Sequence, residues 1–155
     1  ANTKRSTLEI ISLMPKFSDT RIRKALDAVL PPVVRKFGGT VEAFNIETRT
    51  ITMRFQVTQE YCHSEIIVQG GILTTMLDAA MAYVVVGMGD VKQQVATLEL
   101  KMNFMAIGNP GEFVALGKIT HQGRNIVFME GELYQRDHLI ATSSATGKLV
   151  TPRHW

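Results

Sequence analysis

The stretch Val68-Gln-Gly-Gly-Ile-Leu-Thr-Thr-Met-Leu-Asp-Ala-Ala-Met-Ala-Tyr-Val-Val-Val86 constrains this chain more than any other. It opens on two glycines, runs apolar for about four helical turns, and carries one carboxylate, Asp78. A helix with almost no polar face has to be buried all round. The expectation is a central helix over about 70–87, with the rest of the chain wrapped around it.

The flanking patterns supply the wrapping. From Thr40 the period becomes two, with Val41, Ala43 and Asn45 on one side, then Ile51, Met53, Phe55 and Val57 alternating with polar residues, a hairpin turning near Thr48 to Thr50. Thr58 to Ile67 has no sustained period and holds Tyr61, Cys62, His63 and Glu65. Beyond the helix, which stops near Gly87 to Asp90 with glycine as a left-handed cap, four strand-like runs follow: Ala96 to Phe104, Phe113 to Thr120, Ile126 to Gln135 and Leu139 to Val150. In the first, Leu98, Leu100, Met102 and Phe104 alternate with Thr97, Glu99, Lys101 and Asn103. Turns at Asn109-Pro110-Gly111, Gln122-Gly123-Arg124 and Arg136-Asp137-His138 predict a four-stranded antiparallel meander. The fold class is α+β, a sheet of about six strands curled around one helix.

Ahead of this body, Ser6 to Met14 and Ser18 to Leu30 carry helical spacing, with Ser18 or Asp19 as cap and Pro31-Pro32 as stop. Leu26, Val29, Leu30, Val33 and Val34 form a stripe that would lie on the larger body, and Gly38-Gly39 is the hinge. At 155 residues the chain suits one core. The division reads as a helical extension over 1–37, the main domain over 38–150 and a tail over 151–155.

Residues 1–36 hold eight Lys/Arg against three Asp/Glu, and the remainder nine against eleven. A basic arm of this kind reads as a solvated helical face rather than a nucleic-acid or membrane surface. Apolar runs are broken by Asp78 or glycine before reaching a membrane-spanning length, no leader is evident, and the single Cys62 fits a cytoplasmic setting. His63, His121, His138 and His154 lack metal-ligand spacing, so no metal or cofactor is assigned. There is no phosphate loop, no serine elbow, and no ladder of aromatics for stacking bases.

Asp78 is the sharpest chemical candidate, because a carboxylate on an apolar helix must be paired, hydrogen-bonded or protonated. Thr74 and Thr75, one turn back, could satisfy it; otherwise it borders a cavity or subunit seam as a base or nucleophile. Gly70-Gly71 at the helix start is either a tight turn or a set of open N–H groups suited to a developing oxyanion. Eight residues of helix put Gly70 and Asp78 about 12 Å apart and roughly 80° around the axis. One copy cannot bring both to a single carbonyl, so a shared reaction requires a two-fold oligomer.

The glycine pair followed by an aspartate eight residues after Gly70, the apolar helix, the strand Thr97 to Phe104, and Gln122-Gly-Arg124 through Ala141 and Thr142 resemble the hotdog-fold acyl-CoA thioesterases of the phenylacetate-pathway type. The similarity covers about Thr40 to Val150. It implies a homodimer, or dimer of dimers, with active sites at the subunit interface. It further implies that Gly70, or Gly71 one residue on, polarises a thioester carbonyl while the opposing subunit's Asp78 activates water or attacks directly. Carried over, His63 stands where the family often has Asn, Gln69 where it usually has His, and Thr97 where a Ser or Thr would orient water. A hotdog hydroxyacyl dehydratase using His63 with Asp78, and a non-catalytic acyl-binding protein, are the competing expectations. His63 is followed by Ser64-Glu65, whereas the dehydratases show a Phe-Pro-Gly context.

Overall fold

A computed structural model describes residues 19–151 of the chain. Two short helices lead, α1 (Thr20–Ala28) and α2 (Pro32–Lys36), followed by the hairpin β1 (Thr40–Asn45) and β2 (Thr50–Val57). A 3₁₀ turn (Gln59–Tyr61) and a small hairpin, β3 (Cys62–Ser64) with β4 (Ile67–Val68), lead into the long helix α3 (Gly70–Met88). Four strands complete the fold: β5 (Gln94–Phe104), β6 (Gly111–Gln122), β7 (Ile126–Gln135) and β8 (His138–Val150).

The main sheet is antiparallel throughout, in the order β1-β2-β6-β7-β8-β5, and α3 lies across its inner face. This is the hotdog arrangement. Ile51, Met53, Phe55 and Val57 of β2, Phe113 and Ala115 of β6, and Val127 and Leu133 of β7 are all buried there. Contact between helix and sheet is close enough that a Cβ at Gly117 of β6 would stand 2.4 Å from the Ala80 carbonyl oxygen, so only glycine fits beneath the helix.

Four expectations are corrected. First, only β6, β7 and β8 form a meander; β5 pairs with β8 and becomes an edge strand. The link over 105–110 is long enough for this, since six residues reach about 20 Å and three strand spacings need only about 14 Å. Second, bulges between Val41 and Ala43 and between Thr97 and Glu99 shift the alternation. Val41 and Phe44 therefore pair with core-facing Met53 and Ile51, and Ala43 and Asn45 pair with Thr52 and Thr50. Third, the residues of positive φ after α3 are Asp90 and Val91, at 52° and 55°, and the cap Gly89 sits at −89°. Gly87 is buried against the Phe44 ring.

The fourth correction concerns burial of α3. Leu73, Met76, Leu77, Ala79, Ala80, Met81, Val84, Val85 and Gly87 are buried, but Thr74, Thr75, Asp78, Ala82, Tyr83 and Val86 are half-exposed along one stripe. The sheet wraps one side of the helix and leaves the other open. By length and composition α3 would pass for a membrane span, with a mean hydropathy of 1.6, yet it is the core helix of this sheet.

Of the expected stripe on the leading helices, Leu26, Leu30 and Val34 are buried against the body, whereas Val29 and Val33 turn to solvent. Asp19 caps α1, its carboxylate accepting the Ile22 N–H at 2.9 Å. The Ser6 to Met14 helix, the Ser18 cap and the tail beyond Thr151 fall outside the described residues.

Candidate active site

Two groups of side chains surround the open stripe of α3. At its start, Gln69 accepts the Gly71 N–H through Oε1 at 2.6 Å and so caps the helix. The start is fixed from behind by Gln69 N–H bonding to the Tyr61 carbonyl at 3.0 Å and Val68 N–H bonding to the Gly108 carbonyl at 2.9 Å. Asn109 clamps the hairpin tip, its Nδ2 donating to the Ile66 carbonyl at 2.6 Å. The Phe37 and Tyr61 rings meet edge to face, tying the leading helices to the same corner. His63 lies on β3 beside the Cys62–Val68 pair, exposed, with Nδ1 3.1 Å from Ser64 Oγ.

Two helical turns further on, Thr97 Oγ1 donates to Asp78 Oδ1 at 2.8 Å. Thr74 and Thr75 do not satisfy Asp78; their hydroxyls bond back to the Gly70 and Gly71 carbonyls, each at 2.9 Å. Asp78 is half-exposed and, with Thr74, Thr75, Thr97 and Leu100, lines a pocket of about 400 Å³. One carboxylate oxygen is thus held by a hydroxyl while the group as a whole faces open space.

Thr97 reaches Asp78 because of the β5 bulge. Strict alternation would set Thr97 opposite to Leu100, but the inserted residue at Leu98 puts both on the helix side, paired with Gly147 and Ala145 of β8. Bulges are often found beside active sites, where they re-aim a side chain in this way. Leu98, the extra residue, is exposed.

The structure therefore brings Asp78 and Thr97 together, and separately gathers His63, Gln69, Gly70 and Gly71 at the helix start. It adds residues not singled out for the site from sequence: Leu100 in the Asp78 pocket, and Phe104, whose ring lies 3.3 Å from where a Gly70 Cβ would be. Thr74 and Thr75 also line that pocket, which their spacing of four and three residues before Asp78 makes legible in sequence. Among the described residues no three His, Cys, Asp or Glu side chains converge as a metal site would require.

A long helix laid across a six-stranded antiparallel sheet, its glycine start and aspartate both on the uncovered side, defines a hotdog-fold protein with an acid-bearing cleft. The thioesterase superfamily model matches residues 67–142, and the chain is similar to that superfamily over this span. A phenylacetic acid degradation-related protein of Ralstonia eutropha superposes with a TM-score of 0.76 at 27% identity, over 83% of this chain and 99% of that one. A Haemophilus influenzae thioesterase gives 0.75 at 17% identity, over 86% and 94% of the two chains. The Escherichia coli PaaI protein, from the phenylacetic acid degradation operon, gives 0.75 at 14% over 86% and 96%. The last two likenesses speak to the fold alone. The family supports hydrolysis of a thioester as the general activity.

Proposed function

We propose that this protein is an acyl-CoA thioesterase whose active site is completed by a second copy of the chain. The observation that carries the reading is the Thr97–Asp78 hydrogen bond at the mouth of an open pocket. A threonine donating to one carboxylate oxygen fixes the orientation of the other. Asp78 then either takes a proton from a water that attacks the thioester carbonyl carbon, or attacks that carbon itself. On the water route the tetrahedral oxyanion collapses with loss of the CoA thiolate, which takes the proton Asp78 received from water. On the direct route collapse leaves an Asp78–acyl anhydride, which a second-step water hydrolyses to the free acid and Asp78, its proton balancing the released thiolate.

The oxyanion needs a donor that Asp78's own surroundings do not supply, and the helix start lies too far along the same helix. Strand β5 suggests the solution, because Thr97 stands by Asp78 near one end and Phe104 stands by Gly70 at the other. Antiparallel pairing of two β5 edges about a two-fold axis between Leu100 and Lys101 would set Thr97 beside Phe104 of the partner subunit. Asp78 would then face Gly70 of the partner subunit, whose N–H polarises the carbonyl. His63, on the hairpin beside that glycine, would border the same cleft.

The test is thiol release from short, long, branched and aromatic acyl-CoAs by the wild type and Asp78→Asn. We expect the substitution to lower turnover by about three orders of magnitude or more while sedimentation still reports the dimer. Unchanged turnover would remove Asp78 from the mechanism, and an active strict monomer would remove the shared site.

A further inference from the structure

We propose that Gln69 is a second carbonyl-binding donor, held in position by Gly71, so that the two glycines of the helix start have different jobs. The inference rests on the thioesterase reading of this site. Gln69 Oε1 receives the Gly71 N–H at 2.6 Å. An amide N–H can be received only by the oxygen of a carboxamide, so this bond fixes which way the Gln69 head faces and turns Nε2, with its two protons, away from the helix. Among the described residues Nε2 has no hydrogen-bond acceptor, and Gln69 is exposed at the mouth of the helix.

The same bond occupies Gly71. Its N–H is engaged and is not open to a substrate oxygen, which leaves Gly70 as the amide with that role. Gly71 serves a steric purpose: a Cβ there would stand 2.6 Å from Gln69 Oε1 and push the carboxamide off its seat. At Gly70 a Cβ would instead meet the Phe104 ring at 3.3 Å. The Gly70 N–H and the Gln69 Nε2 protons form a pair of neutral donors on adjacent residues, the number an oxyanion commonly accepts. His63 lies on the neighbouring hairpin and is not required for this pair.

Three variants separate this role from simple capping. Gln69→Glu keeps an oxygen for the Gly71 N–H and suits the positive end of the helix dipole, but has no proton to donate. Gln69→Met is neutral and similar in length but neither caps nor donates. Gly71→Ala keeps the amide and removes its seat. Expected is a fall in kcat of at least about tenfold for all three, with KM changed less than about threefold, as for loss of an oxyanion donor. Gln69→Glu should keep the wild-type melting temperature, and Gln69→Met should lower it. Wild-type kcat in Gln69→Met, or in Gly71→Ala, would overturn the proposal.

A second readout does not depend on turnover. In ¹⁵N-labelled protein, a CoA thioether ketone, which cannot be hydrolysed, should shift the Gln69 side-chain NH₂ signals in wild type and in Asp78→Asn alike. Binding of this probe without such a shift would overturn the role of Gln69, whereas full turnover by Asp78→Asn would overturn the site reading and leave the Gln69 result standing.

Discussion

The two edges of the main sheet are finished in opposite ways. Along β1, helix α1 supplies the missing partners: Asp19 N–H bonds to the Phe44 carbonyl at 3.0 Å, Val41 N–H to Asp27 Oδ1 at 3.0 Å, and Arg23 Nη1 to the Val41 carbonyl at 3.1 Å. Along β5 no described element covers the outer edge, and Leu98, Phe104 and Met105 are each more than half exposed. An uncovered edge with apolar side chains invites another strand, and soluble proteins normally blunt it with charge, proline or a covering helix. This chain does so once. On the shared-site reading proposed above, β1 is closed for stability within one copy, whereas β5 is left to be closed by another.

The largest effect should come from spoiling the open edge. Leu98→Arg combined with Met105→Arg alters two exposed side chains, so the fold should persist, while sedimentation velocity should show the dimer dissociating. Turnover should fall by about two orders of magnitude or more, as expected when an oxyanion donor from the partner is lost. A monomer of full activity would break the comparison. Spoiling the closed edge should act on stability instead. Asp27→Ala leaves the Val41 N–H without its acceptor, and urea unfolding should report a loss of about 1–3 kcal/mol with no change in assembly.

A smaller effect concerns how the covering helices are held to α3. Tyr83 donates its hydroxyl to the Val29 carbonyl at 3.0 Å, and burial raises its pKa, opposed in part by the nearby Arg35 charge. Because the folded-state value lies above the unfolded one, the Tyr83 contribution to stability is complete below about pH 10 and is lost as pH rises through the folded value. Tyr83→Phe should be slightly less stable near neutrality and should lack that alkaline step. Denaturant midpoints measured between pH 8 and pH 11 would show whether the step disappears.

Much of the architecture was legible in residue patterns. Ile51, Met53, Phe55 and Val57 alternate and all face the core, Asp19 caps the helix it precedes, and the apolar run after Gly70 is the central helix. Such features are local, because periodicity and capping depend on residues within a turn or two of one another. For the candidate site the sequence offered Asp78, Thr97, His63, Gln69 and the glycines, but not how they divide into two groups. Alternation placed Thr97 on the wrong face, since a period of two carries no mark of an inserted residue. The open stripe on α3 was likewise hidden, because Thr74, Thr75 and Asp78 look like interruptions of a buried helix until the sheet is seen to stop short of them.

By itself the sequence determined a helix that must be covered, strands that can cover it, and one acid with no neighbour on its own helix to neutralise it. Only the tertiary structure decided that β5 crosses to the far edge, that a bulge turns Thr97 onto Asp78, and that Gln69 occupies the Gly71 N–H. The physical reason is range. Helix and strand propensities act over a few residues, whereas strand order, register and the choice of edge to leave bare are set by which distant surfaces bury each other best.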